Sequence, residues 1–290
     1  MGFITPSNLQ EKKAGANYPS DGGTGLQDLP IEKVEWRLNP PKPKAERYRT
    51  GIPTLDEYLG GGLPVGTTIL WGNAGSGKSL LAKQLAMNAK GRVLYICCET
   101  LLDAPNKQDY PHVDTVDYTK FVPNYRKAVA ELFTFIKKLD PKPVLVVVDS
   151  LTTFLGESKL SVSEGSIREA VWTIHKNAEG LCPIVGVSEV RGTGFNEYTA
   201  GGKGVMHGCS MLVRLEKHVI RWESQLPRFP NHRLGDVVFT LEVQKDKHGL
   251  AMTKPYNVSY SPERGIYGVF EVKQKEGTQD GGTEPKTEKS

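Results

Sequence analysis

Residues 72–79 read Gly72-Asn73-Ala74-Gly75-Ser76-Gly77-Lys78-Ser79, which is the complete pattern of a phosphate-binding loop. The apolar run 68–71 before this loop predicts a strand, and the apolar spacing of residues 80–89 after it predicts a helix. In that setting, the amides of the glycine-rich turn and the positive end of the new helix can surround phosphate oxygens. The sequence therefore predicts a site for a nucleoside triphosphate, which we take to be ATP bound together with Mg²⁺.

Three side chains are candidates for holding this ligand. Lys78 is expected to contact the β- and γ-phosphates, and the Ser79 hydroxyl is expected to ligate Mg²⁺. Asp149 follows the apolar run 144–148, so it ends a predicted central strand at the edge where open α/β sheets bind ligands. We expect Asp149 to hold the ion through water or through Ser79.

Hydrolysis of ATP also requires a group that orients the attacking water. Glu99 lies just beyond the predicted strand 93–97 and is the candidate for this catalytic role. The alternative for Glu99 is a helix or turn cap. Glu189, at the end of a later strand, is the nearest competitor, and it could instead sense the γ-phosphate and signal to the loop that follows.

The composition excludes some classes of protein and leaves others open. The 290 residues include 38% hydrophobic ones, enough for a sizeable core, and the formal net charge of +4 is spread along the chain. Such weak basicity neither demands nor excludes a polyanionic partner. No stretch approaches the apolar length of a membrane span, and the cysteines form no zinc-binding pair. We expect a soluble intracellular protein, cytoplasmic or associated with the nucleoid.

Composition and periodicity divide the chain into three segments. Residues 1–47 predict a flexible N-terminal arm, residues 48–272 a single ATPase domain, and residues 273–290 a disordered C-terminal tail. Within the arm, residues 34–38 alternate like a short strand that could dock on a neighbouring subunit or on a protein partner. The alternative is a tethered or disordered segment.

Strands and helices alternate between the two ends of the chain. Nearly continuous apolar strands, such as 93–97 and 144–148, are separated by helical patterns at 124–139 and 163–178. This alternation predicts an α/β fold with a doubly wound, mainly parallel sheet. Residues 211–270, in the C-terminal part of the chain, are mostly β in pattern and predict antiparallel strands that extend the sheet.

The segment before the phosphate-binding loop carries a family resemblance. Residues 50–64, which read TGIPTLDEYLGGGLP, resemble the entry segment of the RecA, RadA and KaiC ATPases. Together with the loop, Glu99 and Asp149, the resemblance covers about residues 48–270. It implies a RecA-like P-loop NTPase core in a core-only member of the superfamily, and it implies that Glu99 is the catalytic glutamate.

A second motif bears on assembly. Residues 245–249, Lys245-Asp246-Lys247-His248-Gly249, resemble the paired basic finger of RecA and the basic-Gly signature of bacterial RadA. The resemblance implies that Lys245 and Lys247 are catalytic and reach the phosphates of the adjacent subunit. Self-association into a filament or a hexameric ring would then be required for hydrolysis. The alternative is a basic β-turn on a solvated edge.

Two loops resemble the DNA-binding loops of the superfamily. The first is 156–162, and the second is 191–198, which continues through 200–204. In the second loop, Arg191 and Lys203 would contact phosphates, while Phe195 and Tyr198 would stack on bases of single-stranded DNA. The alternative is a mobile loop for protein contact.

These residues and resemblances lead to one predicted function with two alternatives. We expect an oligomeric ATPase, stimulated by single-stranded DNA, that acts in DNA recombination or DNA repair. The first alternative is a KaiC-like regulatory switch that binds a protein partner, and the second is a hexameric DNA helicase motor. Fold resemblance does not separate them, because function resides in loops grafted on a shared core.

Overall fold

The computed structural model describes residues 46–101, 104–118, 125–155, 163–192, 197–229, 232–261 and 265–268. Four of the predicted features therefore lie outside the described residues: the arm up to residue 45, the tail 273–290, the first DNA-binding loop 156–162, and Phe195 of the second loop. Among the helices of the described part, none combines the length and the apolar composition that crossing a membrane requires.

The main strands follow the alternation that the sequence predicts, and the structure adds strands that the sequence analysis does not name, including Val113–Asp117. In the described residues the strands are β1 Arg47–Tyr48, β2 Leu63–Pro64, β3 Thr67–Gly72, β4 Val93–Cys97, β5 Val113–Asp117, β6 Leu145–Asp149, β7 Ile184–Arg191, β8 Tyr198–Thr199, β9 Met211–Val219, β10 Val237–Asp246, β11 Tyr256–Ser261 and β12 Gly265–Gly268. The α-helices are α1 Pro53–Tyr58, α2 Lys78–Asn88, α3 Tyr125–Lys138, α4 Leu151–Phe154 and α5 Glu164–Ala178. Two 3₁₀ helices span Lys203–Gly208 and Glu223–Arg228.

Ten of these strands form one sheet, whose order is β12-β11-β10-β9-β3-β7-β6-β4-β5, with β8 beside β7. The six strands from β9 to β5 run parallel to one another. Strands β10, β11 and β12 continue the sheet in antiparallel pairs. The predicted fold class, a mainly parallel α/β sheet with antiparallel C-terminal strands, is confirmed.

The apolar strands are continuous because both faces of the sheet are covered. In β6, Leu145 and Val147 pack into the cluster that contains α1 and α2, whereas Val146 and Val148 pack into the cluster that contains α3, α4 and α5. Successive side chains of a strand point to opposite faces, so a strand buried on both sides needs apolar residues throughout. The same alternation directs Asp149, the next odd position, towards the α2 face at the carboxyl end of the sheet.

Helix α3 shows a difference from the sequence pattern. The periodicity predicts that Leu132 and Phe135 lie near one inward face, but Phe135 is 44% exposed. Phe133 and Ile136 occupy the core instead. Residues three and four apart share a face of a helix, so residues 132, 133 and 136 form one stripe that leaves 135 at its border.

Candidate functional site

The loop that joins β3 to α2 depends on glycines at two points. Gly75 has φ +73° and Gly77 has φ +88°, both in the left-handed region that side chains rarely adopt. A Cβ atom at Gly77 would also lie 2.8 Å from the ring of Phe239 on β10. Gly77 immediately precedes α2, so this turn aims the first amides of the helix into the loop.

Lys78 lies folded over this loop. Its Nζ atom donates hydrogen bonds to the carbonyl oxygens of Gly72 and Asn73, each at 2.9 Å. Burial lowers the pKa of Lys78, and the carboxylates of Glu189, Asp149 and Glu99 oppose that shift. The three acidic residues that the sequence predicts for the reaction therefore all act electrostatically on Lys78.

Ser79 and Asp149 are in direct contact, although 70 positions separate them in the chain. The Ser79 hydroxyl donates to Asp149 Oδ1 at 3.0 Å, and the Tyr95 hydroxyl donates to Asp149 Oδ2 at 2.7 Å. Burial raises the pKa of Asp149, while the two hydrogen bonds favour its ionised form. The two predicted Mg²⁺ ligands thus lie together beside the loop.

Tyr95 is a site residue that the sequence reasoning missed. Tyr95 lies in β4, where it pairs with Val147 of β6. Asp149 follows Val147 by two residues in β6, so Tyr95, Val147 and Asp149 are on the same face of the sheet. Diagonal neighbours of this kind lie within reach of an aromatic side chain. A signal was available in the sequence, because Tyr95 is a polar-tipped residue at an α2-facing position of an otherwise apolar strand.

These residues fit Mg²⁺ and a triphosphate. Ser76 Oγ is buried in the loop with no hydrogen-bond partner in the part of the chain described above. Ser79 and Asp149 supply oxygen ligands, and the described residues contain no group of three or more metal-binding side chains. Mg²⁺ is commonly held by one or two carboxylates together with substrate phosphates, so this donor set suits it.

Glu99 lies two residues past the end of β4. The last residue of that strand, Cys97, pairs with Asp149 of β6, and the Cys98 amide donates to the Asp149 carbonyl at 2.8 Å. The Glu99 side chain is exposed at this edge of the sheet. It is therefore placed near the predicted Mg²⁺ ligand and open to water, and its catalytic role stays a prediction.

Glu189 connects the loop to a more distant segment. In the sheet register it lies directly beside Gly72. Its own carbonyl oxygen accepts a hydrogen bond from the Ala200 amide at 3.1 Å, and the Thr199 hydroxyl donates to Ser188 Oγ at 2.9 Å. Of the three carboxylates that oppose the effect of burial on the pKa of Lys78, Glu189 has the largest influence. Its backbone is thus hydrogen-bonded to the continuation of the predicted second DNA-binding loop.

The residues of that second loop are only partly described. Arg191 ends β7 and pairs with Tyr198 of β8, while Lys203 is exposed at the start of a 3₁₀ helix. A hydrogen bond to Glu164 raises the pKa of Tyr198, so this ring is held against the start of α5. Phe195 lies outside the described residues. The structure brings Arg191 and Tyr198 together, and DNA contact by these residues stays a prediction.

The predicted basic finger lies at the end of the sheet where the parallel strands begin, whereas the phosphate-binding loop lies at their carboxyl ends. Asp246, between the two lysines, pairs with Met211 of β9, which in turn pairs with Thr68 near the start of β3. The distance from Thr68 to the loop that follows β3 is about 16 Å along the strand. Neither lysine is placed to act on the loop of its own chain.

The two finger lysines have different surroundings. Lys245 Nζ donates to the carbonyl oxygens of Met206 and Cys209, the latter at 2.6 Å. Lys247 is about half exposed and forms a surface ion pair with Glu179 at 3.2 Å. These contacts lie within one chain, so the role of the two lysines at a neighbouring subunit stays a prediction.

Comparisons with known proteins agree with this geometry. Residues 48–108 match the family model described as "ATPase: KaiC". The chain is also 28% identical over 202 residues to the UPF0273 protein PAE3143 of Pyrobaculum aerophilum, an alignment that covers 59% of this chain and 68% of that protein. The predicted resemblance to the RecA, RadA and KaiC superfamily of P-loop ATPases is confirmed.

Replacing Tyr95 with phenylalanine should lower the free energy of unfolding by about 1.5–3 kcal/mol, because a buried hydrogen bond to a charged group is lost. The measurement is urea denaturation followed by circular dichroism. The matched control is Tyr48→Phe, since the Tyr48 hydroxyl accepts a hydrogen bond of 3.2 Å from the neutral Lys90 amide. Equal losses in the two variants would contradict a special role for the contact with Asp149.

Proposed function

We propose that this protein is an oligomeric, Mg²⁺-dependent ATPase that acts in recombination or repair, and that its bound nucleotide controls its binding to single-stranded DNA. The observation that carries the ATPase assignment is the contact between Ser79 and Asp149 beside a glycine-rich loop capped by Lys78. Oxygen ligands for a cation and a lysine for phosphates converge there at the carboxyl edge of a parallel sheet.

Each residue of the site has a part in this proposal. The loop amides and Lys78 bind and orient the phosphates, while Ser79 and Asp149 hold Mg²⁺. When bound, the ion offsets negative charge on the phosphate oxygens. Glu99 orients the attacking water and accepts its proton. Tyr95 keeps the Asp149 carboxylate in place through its 2.7 Å hydrogen bond.

Assembly completes the site in this proposal. Lys245 and Lys247 lie at the far end of the sheet from their own loop. A head-to-tail neighbour can therefore present the half-exposed Lys247, on a turn anchored by Lys245, to the phosphates bound by the next copy. A cation delivered there stabilises the charge that develops during phosphoryl transfer. Hydrolysis then depends on the oligomer.

The grip on DNA is coupled to the nucleotide through Glu189. This residue lies beside Gly72 in the sheet and is bonded through its backbone to Ala200. A shift of Glu189 on phosphate binding therefore acts on the segment that carries Arg191 and Lys203. These cations contact the DNA backbone, and the aromatic rings of Phe195 and Tyr198 supply base contacts.

Single-stranded DNA should stimulate the steady-state rate of ATP hydrolysis. With Arg191 and Lys203 as two phosphate contacts per subunit, the affinity for DNA should fall about sevenfold between 50 and 200 mM salt. The measurement is the hydrolysis rate against DNA concentration at both salt concentrations. Lys203→Ala should flatten the salt dependence, whereas Lys138→Ala, an exposed lysine on α3, serves as the matched control.

Hydrolysis that is indifferent to DNA at both salt concentrations would contradict the DNA assignment. It would favour the second candidate, a KaiC-like switch whose ATP-driven assembly recruits a protein partner. The specific observation in favour of that candidate is the match of residues 48–108 to the KaiC ATPase model. The ATPase site is the same in both proposals.

A further inference from the structure

Asp246, between the two finger lysines, is the centre of a buried network. Arg47 Nη2 donates to both carboxylate oxygens of Asp246, at 2.7 and 2.6 Å, and the two side chains are only 6% and 5% exposed. The amides that also donate to this carboxylate belong to His248 at 3.1 Å, Leu250 at 2.7 Å and Ala251 at 2.8 Å. One carboxylate therefore shapes the whole turn that follows β10.

Arg47 is itself fixed by the rest of the core. It belongs to β1, which pairs with β2 just before the strand that leads into the phosphate-binding loop. Its Nη1 atom donates to the Gly62 carbonyl at 3.2 Å. The far side of the turn is held too, because the Met252 amide donates to the Tyr58 carbonyl at 2.8 Å. The turn is thus attached to the segment 58–64.

The network leaves one finger lysine available. Lys245 is held by the carbonyl oxygens of Met206 and Cys209, so it anchors the start of the turn. Lys247, on the other side of Asp246, has a side chain that is 49% exposed, and its ion pair among the described residues is a surface one with Glu179. Such surface pairs contribute little and exchange readily with a stronger anion.

We propose that Arg47 is a positioning residue for hydrolysis in the neighbouring subunit: by holding Asp246, it sets the turn that presents Lys247 to the phosphates bound by the next copy. This inference rests on the proposed function, in which the basic finger acts across the interface. Removing Arg47 would leave the Asp246 carboxylate buried without its cation, which is strongly unfavourable, and the turn would rearrange. Arg47 touches no substrate.

The first measurement is the kinetics of Arg47→Met, a neutral side chain of similar length. A misplaced cation should lower kcat by about 100-fold, a loss that a displacement of about 1 Å can cause, while KM for ATP stays unchanged. Unchanged KM is expected because the phosphate-binding loop of the same chain is intact. A purely structural loss would reduce the amount of active protein and its nucleotide binding in parallel.

The decisive experiment mixes two defective subunits by co-expression with different affinity tags. Lys78→Ala subunits lack the loop lysine but keep an intact finger, whereas Arg47→Met subunits have an intact loop and a misplaced finger. In a head-to-tail assembly, about one interface in four pairs an intact loop with an intact finger. We expect the mixed assembly to hydrolyse ATP much faster than either variant alone.

A parallel mixture of Lys247→Ala with Lys78→Ala tests the finger itself. If this control recovers activity and the Arg47→Met mixture does not, the Arg47 proposal is overturned while the proposed function stands. If the control also fails, the finger across the interface is wrong, and the Arg47 proposal falls with it. The two failures are therefore distinguishable.

A second variant covers the outcome that Arg47→Met does not fold. The double substitution Arg47→Met/Asp246→Leu removes both buried charges and so avoids an unpaired carboxylate. Thermal unfolding and binding of a fluorescent ATP analogue establish that it is folded. It should show the same loss of kcat and the same recovery in the mixture, and full activity of the folded double variant on its own would overturn the proposal.

Discussion

Alanine in place of Lys78 is expected to reduce ATP hydrolysis by about 10²–10³-fold, because the cation that stabilises charge on the transferred phosphoryl group is removed. The ammonium group is already held at the loop by the carbonyl oxygens of Gly72 and Asn73. It therefore needs little reorganisation to meet the phosphates. The measurement is the steady-state hydrolysis rate, together with the affinity for a fluorescent ATP analogue.

Lys83→Ala is the matched control for this prediction. Lys83 lies on the same helix α2, one turn and a half further on, and its side chain is only partly buried. Both substitutions remove one lysine ammonium group, so Lys78→Ala and Lys83→Ala have the same formal charge. Similar rates for Lys78→Ala and Lys83→Ala would show that the loop is not the hydrolytic site.

Glutamine in place of Glu99 is expected to lower the hydrolysis rate by about 10²–10⁴-fold, which is the usual contribution of a positioned general base. Affinity for ATP should stay close to that of the unaltered protein, because Glu99 is exposed at the strand edge and holds neither the loop nor the contact between Ser79 and Asp149. Single-turnover kinetics separate the chemical step from binding.

Glu189→Gln distinguishes the two candidate acids. Glu189 lies beside Gly72 and is bonded to Ala200, so its substitution should weaken the response to DNA more than the chemical step. If single-turnover hydrolysis falls further in Glu189→Gln than in Glu99→Gln, the assignment of Glu99 as the water-positioning residue is wrong. Glu189 would then take that role.

Much of the site could be predicted because its parts are local. The loop 72–79 is one continuous segment, and the glycines that it needs are set by backbone dihedral angles. Asp149 was identifiable because it ends the apolar strand β6, and residues at the ends of adjacent parallel strands meet at one edge of a sheet. The same strand patterns predicted the fold class correctly.

Other contacts could not be predicted because they join distant positions through side chains. Tyr95 and Asp149 are 54 positions apart, and Arg47 and Asp246 are 199 positions apart. No periodicity within a single segment records such a pair. On helix α3, the exposure of Phe135 likewise depended on how the helix is rotated against its neighbours, because the sequence offers phenylalanines at both 133 and 135 for the buried face.

The sequence by itself determined the main alternation of strands and helices along the chain, the phosphate-binding loop, and the acidic residues at the ends of the strands that follow it. These features depend on local backbone preferences and on burial of contiguous apolar segments. Only the tertiary structure decided that Lys245 is tied to carbonyl oxygens while Lys247 is half exposed, and that Arg47 holds the turn between them. Those differences arise from packing between segments far apart in the chain, where a side chain's partners depend on the completed fold.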